Sequence, residues 1–295
     1  MPRCPAALTL GTVKPPAFDY RAPRTVDETV RLLSGANGAT TLLAGGQSLL
    51  PLLNRRRVRP VTLVDLGGVE GLDTVTLEER AVRIGALVRL RALETHAALR
   101  DTLPVLHETV RLVAYPQIRT RATFGGSLCH ADPAAELPAL ALALGARLRL
   151  RSAAGQRTVD AEEFYRPGGG TALLPGELLT EAELPLHEGH RFRFAEVPRL
   201  GQGGFPLVGA CAGVSLDPEG TVISARLSAA GAADRPLRLH AAERALTGRA
   251  LSGLGSVLDA AAHEADPPSD TYGSADYRRA LLRTTLRRAL EGMRP

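Results

Sequence analysis

The chain has 295 residues, 44% hydrophobic and 4% aromatic, with a formal net charge of +5. That is an ordinary globular composition, long enough for one large or two moderate domains. Arginine far outnumbers lysine but no basic run is interleaved with stacking aromatics, so nucleic-acid binding is not expected. Cys4, Cys129 and Cys211 are widely separated and in no ligand spacing, which argues against a metal site, an iron–sulfur site or a disulfide framework on this chain. No run reaches membrane-spanning length and the N-terminus lacks a basic region followed by an apolar core; the expected compartment is the cytoplasm.

Residues 1–16 are punctuated by proline and show no period, as a loose arm would be. Thr25 then caps an expected helix with Val26, Val30 and Leu33 on one face, and Glu28 completes a capping box. The apolar run 39–43 reads as a short buried strand leading into Ala44-Gly45-Gly46-Gln47-Ser48, with Ser48 placed to cap a following helix through Leu52 and Leu53. Strand, diglycine, hydroxyl and helix together suit a phosphate held at a helix N-terminus. Arg55, Arg56, Arg57 and Arg59 read as a solvated helix end, with a subunit-docking role as the alternative. A strand over 61–66 closes a small first lobe.

From residue 74 the pattern becomes strand, charged turn at 78–80, strand; residues 90–112 then read as helices broken at Pro104, with His96 and His107 lightly packed on them. Residues 115–138, YPQIRTRATFGGSLCHADPAAELP, mix glycine, hydroxyl, acid and proline, and read as a shaped loop. Gly125 and Gly126 permit positive φ and close approach to a bound anion. Asp132 followed by Pro133 reads as an N-cap opening the apolar run 134–144, bent at Pro138, and the Glu136 carboxylate is left available to a ligand. Ser48 and Ser127 each follow closely behind a diglycine, suggesting a diphosphate held from two sides. Residues 146–152 alternate as a half-exposed strand. After Pro185 come strands over 207–216 and 221–228 joined by a DPEG turn, then amphipathic helices over 237–247, 254–264 and 275–290. This order argues for α+β. Arg278, Arg279, Arg283, Arg287 and Arg288 give the last helix a basic face.

The segments AGGQSLLPLL, TFGGSLCHADPAAELPA, TALLPGELLTEAELP and ADRPLRLHAAERALTG, in that order, resemble the FAD-binding medium subunit of molybdenum hydroxylases, the carbon monoxide, xanthine and nicotine dehydrogenase type. The resemblance runs from Phe18 to the C-terminus. It implies a two-lobed FAD-binding domain of the vanillyl-alcohol-oxidase type followed by a C-terminal sheet-plus-helices domain: an arm over 1–17, the FAD domain over 18–186 with lobes of about 18–66 and 67–186, and the C-terminal domain over 187–295.

The resemblance further implies cofactor contacts from Leu43, Ala44, Gly45, Gly46, Gln47, Ser48, Leu49 and Leu50, and from Thr123, Gly125, Gly126 and Ser127. Asp132 and Glu136 match acidic positions, Leu179 lies against the isoalloxazine or is plain core, and Phe205 fills the aromatic position beside the flavin. No residue is expected to be catalytic and none to bind metal on this chain. Partners would be a large molybdenum-cofactor subunit and a small subunit with two [2Fe-2S] clusters, in a dimer of heterotrimers. Electrons would pass from the clusters through FAD to an external acceptor. A freestanding flavoprotein oxidoreductase and a cofactor-free scaffold are the competing readings. The stretch 200–209, LGQGGFPLVG, departs from the family pattern, with Gly204 where an acid is usual.

Overall fold

The computed structural model describes residues 14–35, 40–199 and 204–293. Residues 1–13 of the expected arm, the first residue of the expected strand at Ala39 and residues 200–203 of the divergent loop lie outside that description.

β1 (Asp19–Arg21), α1 (Val26–Ser34), β2 (Thr40–Leu43), α2 (Leu49–Asn54) and β3 (Thr62–Asp65) form a small parallel sheet in the order β1-β3-β2 with its helices. The Thr25 cap forms: Glu28 N–H donates to Thr25 Oγ1 at 3.1 Å, while the Glu28 carboxylate reaches back past the cap to accept from Arg24 N–H at 2.8 Å. Val30, Leu33, Val64 and Leu66 make this lobe's core, and it continues into Leu87 and Leu178 of the next unit.

That unit begins with the hairpin β4 (Val75–Leu77) and β5 (Ala81–Gly85), turning at the expected charged residues. α3 (Leu90–Thr95), α4 (Ala97–Thr102) and α5 (Pro104–Leu112) follow, broken at Pro104 and also at His96, whose Nδ1 caps α4. Next come α6 (Pro116–Arg119), α7 (Phe124–His130), α8 (Glu136–Leu144), β6 (Arg147–Ser152), β7 (Gly155–Asp160), α9 (Ala161–Phe164) and β8 (Leu178–Pro185). Strands β4-β5-β8-β6-β7 form an antiparallel sheet.

The third unit holds β9 (His190–Pro198), β10 (Pro206–Leu216), β11 (Val222–Ala230) and β12 (Leu237–Arg238), antiparallel in the order β12-β11-β10-β9. α10 (His240–Leu246), α11 (Gly255–Glu264) and α12 (Ala275–Glu291) cover one face, with Val208, Ala210, Ala212 and Val214 pointing into their core. The alternate residues of β10 point to the other face, where Gly209 and Gly213 leave room for the rings of Phe194 and Phe192; an added Cβ would lie 2.9 and 2.1 Å from them.

Helix α8 joins the two larger units. Every one of its residues is buried, as expected of a helix apolar all round. The third unit grips its backbone carbonyls: Ser228 Oγ donates to Ala139 O at 2.7 Å, and at the C-terminal end Arg238 Nη1 donates to Leu142 O at 3.1 Å and Arg226 Nε to Ala143 O at 2.5 Å, while His187 Nε2 lies 2.8 Å from Leu144 O. Two guanidiniums against the negative end of a helix dipole fix α8 relative to the third sheet. Pro138 does not bend α8, because it falls in the first turn, where its missing N–H would have no intrahelical partner. Arg278 is also corrected: it is buried, donating to Leu207 O and paired with Asp270, and does not contribute to a basic face.

Candidate functional site

The two glycine segments meet. A Cβ on Gly45 would lie 2.2 Å from Arg121 O and 2.8 Å from Ala122 Cα, and one on Gly126 would lie 3.6 Å from Ala44 Cβ, so the first loop is pressed against the start of the second segment. Gly46 takes φ +73, a conformation glycine adopts without strain. Leu50 N–H donates to Gly46 O at 3.0 Å and Gln47 Nε2 to Gly45 O at 3.0 Å. The backbone N–H groups of Gly45, Gly46, Gln47 and Ser48 donate to no other described residue. Consecutive amides left without a partner are the kind of group that can hold an anion.

The second segment differs from the expected loop. Phe124–His130 is a helix capped by Thr123, whose Oγ1 accepts from Gly126 N–H at 3.2 Å. Phe124 N–H donates to Val88 O, Gly125 N–H to Ala86 O, both at 2.9 Å, and Ser127 N–H to Thr123 O at 3.0 Å. All four amides over 124–127 are thus spent inside the protein. Glycine is required at 125 by close approach to Ala86, whose backbone an added Cβ would meet at 2.7–2.8 Å, and not by positive φ. This segment offers a ligand hydroxyls, not amides: Ser127 Oγ bonds to no described residue. Ser48 Oγ is likewise unspent, since Ser48 precedes α2 with helical φ and ψ and makes no side-chain cap. That corrects the expected Ser48 cap.

Asp132 is also corrected. Its Oδ1 accepts from Ala134 N–H at 2.9 Å, and Ala135 N–H donates to Asp132 O at 3.0 Å, closing a turn; α8 starts only at Glu136, with Ala135 in the capping position. Glu136 is 3% exposed. Burial first, then the charges of Glu196 and Asp132, push its carboxyl up to about 8 against the pull of its own backbone amide, and no cation is paired with it among the described residues. Leu179 lies on β8 opposite Leu150 and is buried in the main core, while Phe205 is 53% exposed, its carbonyl accepting from Arg199 N–H at 2.9 Å. Leu43 and Leu49 are half-buried beside the first loop and Leu50 is exposed.

Sequence reasoning missed two supports. Residues 86–89 hold the start of α7 through the carbonyls of Ala86 and Val88, and Arg89 donates to Arg121 O. A cavity of about 210 Å³ lies beside this strip, lined by Gly67, Val69, Asp73, Leu87, Val88, Arg89 and Ala92, between the first two units. Arg119, 5% exposed, grips Glu94 through two bonds of 3.0 Å and donates to Val113 O and Ala114 O at 2.9 and 2.8 Å, holding the turn ahead of Pro116. Both depend on which segments become neighbours, and no local pattern marks them.

The residues fit an extended diphosphate-bearing cofactor. The first loop supplies unpaired amides, two hydroxyls stand unspent, and Glu136 is a buried acceptor with no cation of its own, suited to a ligand's N–H or O–H. The profile of the FAD binding domain in molybdopterin dehydrogenase matches residues 16–187, and that of the CO dehydrogenase flavoprotein C-terminal domain matches residues 192–293. The chain belongs to this family of FAD-binding medium subunits of molybdenum hydroxylases. It is 39% identical over 290 residues to the 6-hydroxypseudooxynicotine dehydrogenase complex subunit alpha of Paenarthrobacter nicotinovorans, covering 96% of this chain and 98% of that one. It is 35% identical to the carbon monoxide dehydrogenase medium chain of Afipia carboxidovorans, over 94% and 96% of the two chains. Among solved structures, quinoline 2-oxidoreductase from Pseudomonas putida 86 superposes with a TM-score of 0.89 at 34% identity, covering 95% and 97%.

Proposed function

We propose that this chain is the flavin-carrying subunit of a molybdenum hydroxylase complex. The amides of Gly45, Gly46, Gln47 and Ser48, with the hydroxyl of Ser127, would hold the FAD pyrophosphate. The four unpaired amides carry this reading, because they are the feature that fits an anion and serves no bond inside the described chain.

A bound flavin accepts and releases electrons in its own ring, so the chain needs no nucleophile or proton relay of its own. The protein's part is to bind, orient and exclude water. Gly45 sets the loop against Arg121–Ala122, Thr123 fixes the first turn of α7, and Glu136 accepts a hydrogen bond from the cofactor. In this reading Leu179 acts from beneath, as core, and Phe205 covers the site from the third unit. The expected domains, 18–186 and 187–295, correspond to the cofactor cleft and its cover.

The partners are a large subunit with the molybdenum cofactor and a small subunit with two [2Fe-2S] clusters, two such heterotrimers forming the cytoplasmic complex. No described helix is long and apolar enough to cross a membrane. Co-expression with neighbouring large and small subunits tests this: the complex should contain one FAD per copy of this chain, and substrate should bleach the flavin absorption. A complex that reduces its acceptor without this chain would contradict the proposal.

A further inference from the structure

The carbonyl of Arg121 stands where the two glycine segments meet. On one side Gly45 is pressed so close that an added Cβ would lie 2.2 Å from Arg121 O. On the other side is Arg89, whose Nη1 donates to the same oxygen. No backbone N–H of a described residue donates to Arg121 O, so the guanidinium is the group that satisfies and orients it. The main chain of Arg89 is committed as well. It bridges to Thr123 in antiparallel register, framed by Leu90 N–H donating to Ala122 O at 3.0 Å and Phe124 N–H to Val88 O at 2.9 Å. Thr123 is the cap of α7. One residue thus fixes the start of the second segment through its backbone and the floor under the first loop through its side chain.

We infer that Arg89 is a positioning residue for the diphosphate site: by holding Arg121 O against Gly45 it keeps the amides of residues 45–48 aligned before a ligand arrives, an inference that rests on the reading of those amides as the holders of the FAD pyrophosphate. Donors already in place bind more tightly than donors that must be ordered on binding, and a site made of main-chain amides is only as ordered as the backbone it leans on. The surroundings make the arginine's part specific. Half-buried Arg89 lines the cavity of about 210 Å³ between the first two units, with Gly67, Val69 and Asp73 among its other walls. Gly67 and Val69 follow β3, the neighbour of β2, and Leu66 N–H donates to Leu43 O at 2.8 Å, so this wall and the first loop leave the parallel sheet side by side. Without the guanidinium, Arg121 O loses its partner beside open space and the floor under Gly45 can shift. The effect passes through Arg121 O and needs no contact between Arg89 and the ligand.

The test is a titration of the purified, folded full chain with FAD, and with ADP in competition, since ADP carries a diphosphate and no isoalloxazine. Arg89→Met keeps the reach of the side chain and removes its donors; it should weaken FAD and ADP alike, by roughly tenfold, the equivalent of one hydrogen bond from a charged group. Arg89→Lys returns a cationic donor and should recover most of the loss for both. Arg89→Gln, neutral and shorter, takes the place of the methionine variant if that chain does not fold, with the same tenfold loss expected. A lowered urea midpoint with unchanged affinity for both ligands makes Arg89 a stabilising residue only and overturns the inference. So does a loss for FAD that spares ADP. Gly45→Ala, measured alongside, keeps the two readings apart: if it loses FAD while Arg89→Met does not, only the role of Arg89 falls, and if it binds FAD as wild type does, the assignment of residues 45–48 falls with it.

Discussion

Replacing Glu136 by glutamine should make the cofactor-free chain more stable and its hold on FAD weaker. The carboxyl is 3% exposed and its proton is held up to about 8 against a usual 4.5. The folded chain therefore keeps a proton that the unfolded chain releases between those values, and stability falls as pH rises through that window. Below pH 4.5 the penalty is absent; by pH 7 it is on the order of 3 kcal/mol, and it levels off above pH 8. Glutamine keeps the volume and removes the titration. Urea unfolding of wild type and Glu136→Gln at pH 5, 7 and 8 should show a gap that widens with pH. Added FAD should stabilise the wild type more than the variant, since a ligand that binds only the folded state contributes RT ln(1 + [L]/Kd). A variant that is less stable than wild type at pH 8, or a gap independent of pH, would refute the reasoning. Residues that lower stability in the absence of ligand belong to function, and this one has no structural partner that would explain it.

Gly45→Ala would place a methyl 2.2 Å from Arg121 O, a backbone atom that cannot swing away; a loss of about 1–3 kcal/mol in thermal unfolding and a large drop in bound FAD are expected, and normal FAD content would contradict the close approach. Arg119→Ala leaves Glu94 with only the half-exposed Arg91 as a partner and frees the Val113–Ala114 carbonyls, so it should cost about 1–3 kcal/mol by denaturant titration. Tyr165→Phe removes a hydroxyl that is buried without a partner on a residue 2% exposed, and should be neutral or stabilising by about 1 kcal/mol; clear destabilisation would reveal a bond that the hydroxyl makes.

Local chemistry made much of this fold legible. The Thr25 cap, the β4–β5 hairpin, the alternation of β6, the DPEG turn between β10 and β11 and the three closing helices each carry their signal within a few residues. The misreadings share a cause. Phe124–His130 is helical despite two glycines because Thr123 caps it and the carbonyls of Val88 and Ala86 take its first amides, and neither partner is near in sequence. Asp132 reads in the sequence as an N-cap, but the chain closes a turn on it and α8 begins only at Glu136. β9 passed unread, although its Phe192 and Phe194 alternate, because its identity as a strand rests on pairing with β10. The first loop's strand, diglycine and helix were legible in the sequence, and the amides of residues 45–48 donate to no other described residue. That Glu136 is buried with no cation beside it emerges only when the third unit closes on α8.

The most direct measurement is an FAD titration of the purified, folded chain followed by flavin fluorescence, with Gly45→Ala alongside. The account predicts uptake of one FAD per chain, lost or severely weakened in the variant. A folded wild-type chain that takes up no FAD, or a variant that binds it as tightly as wild type, would contradict the assignment of the cofactor to the amides of residues 45–48.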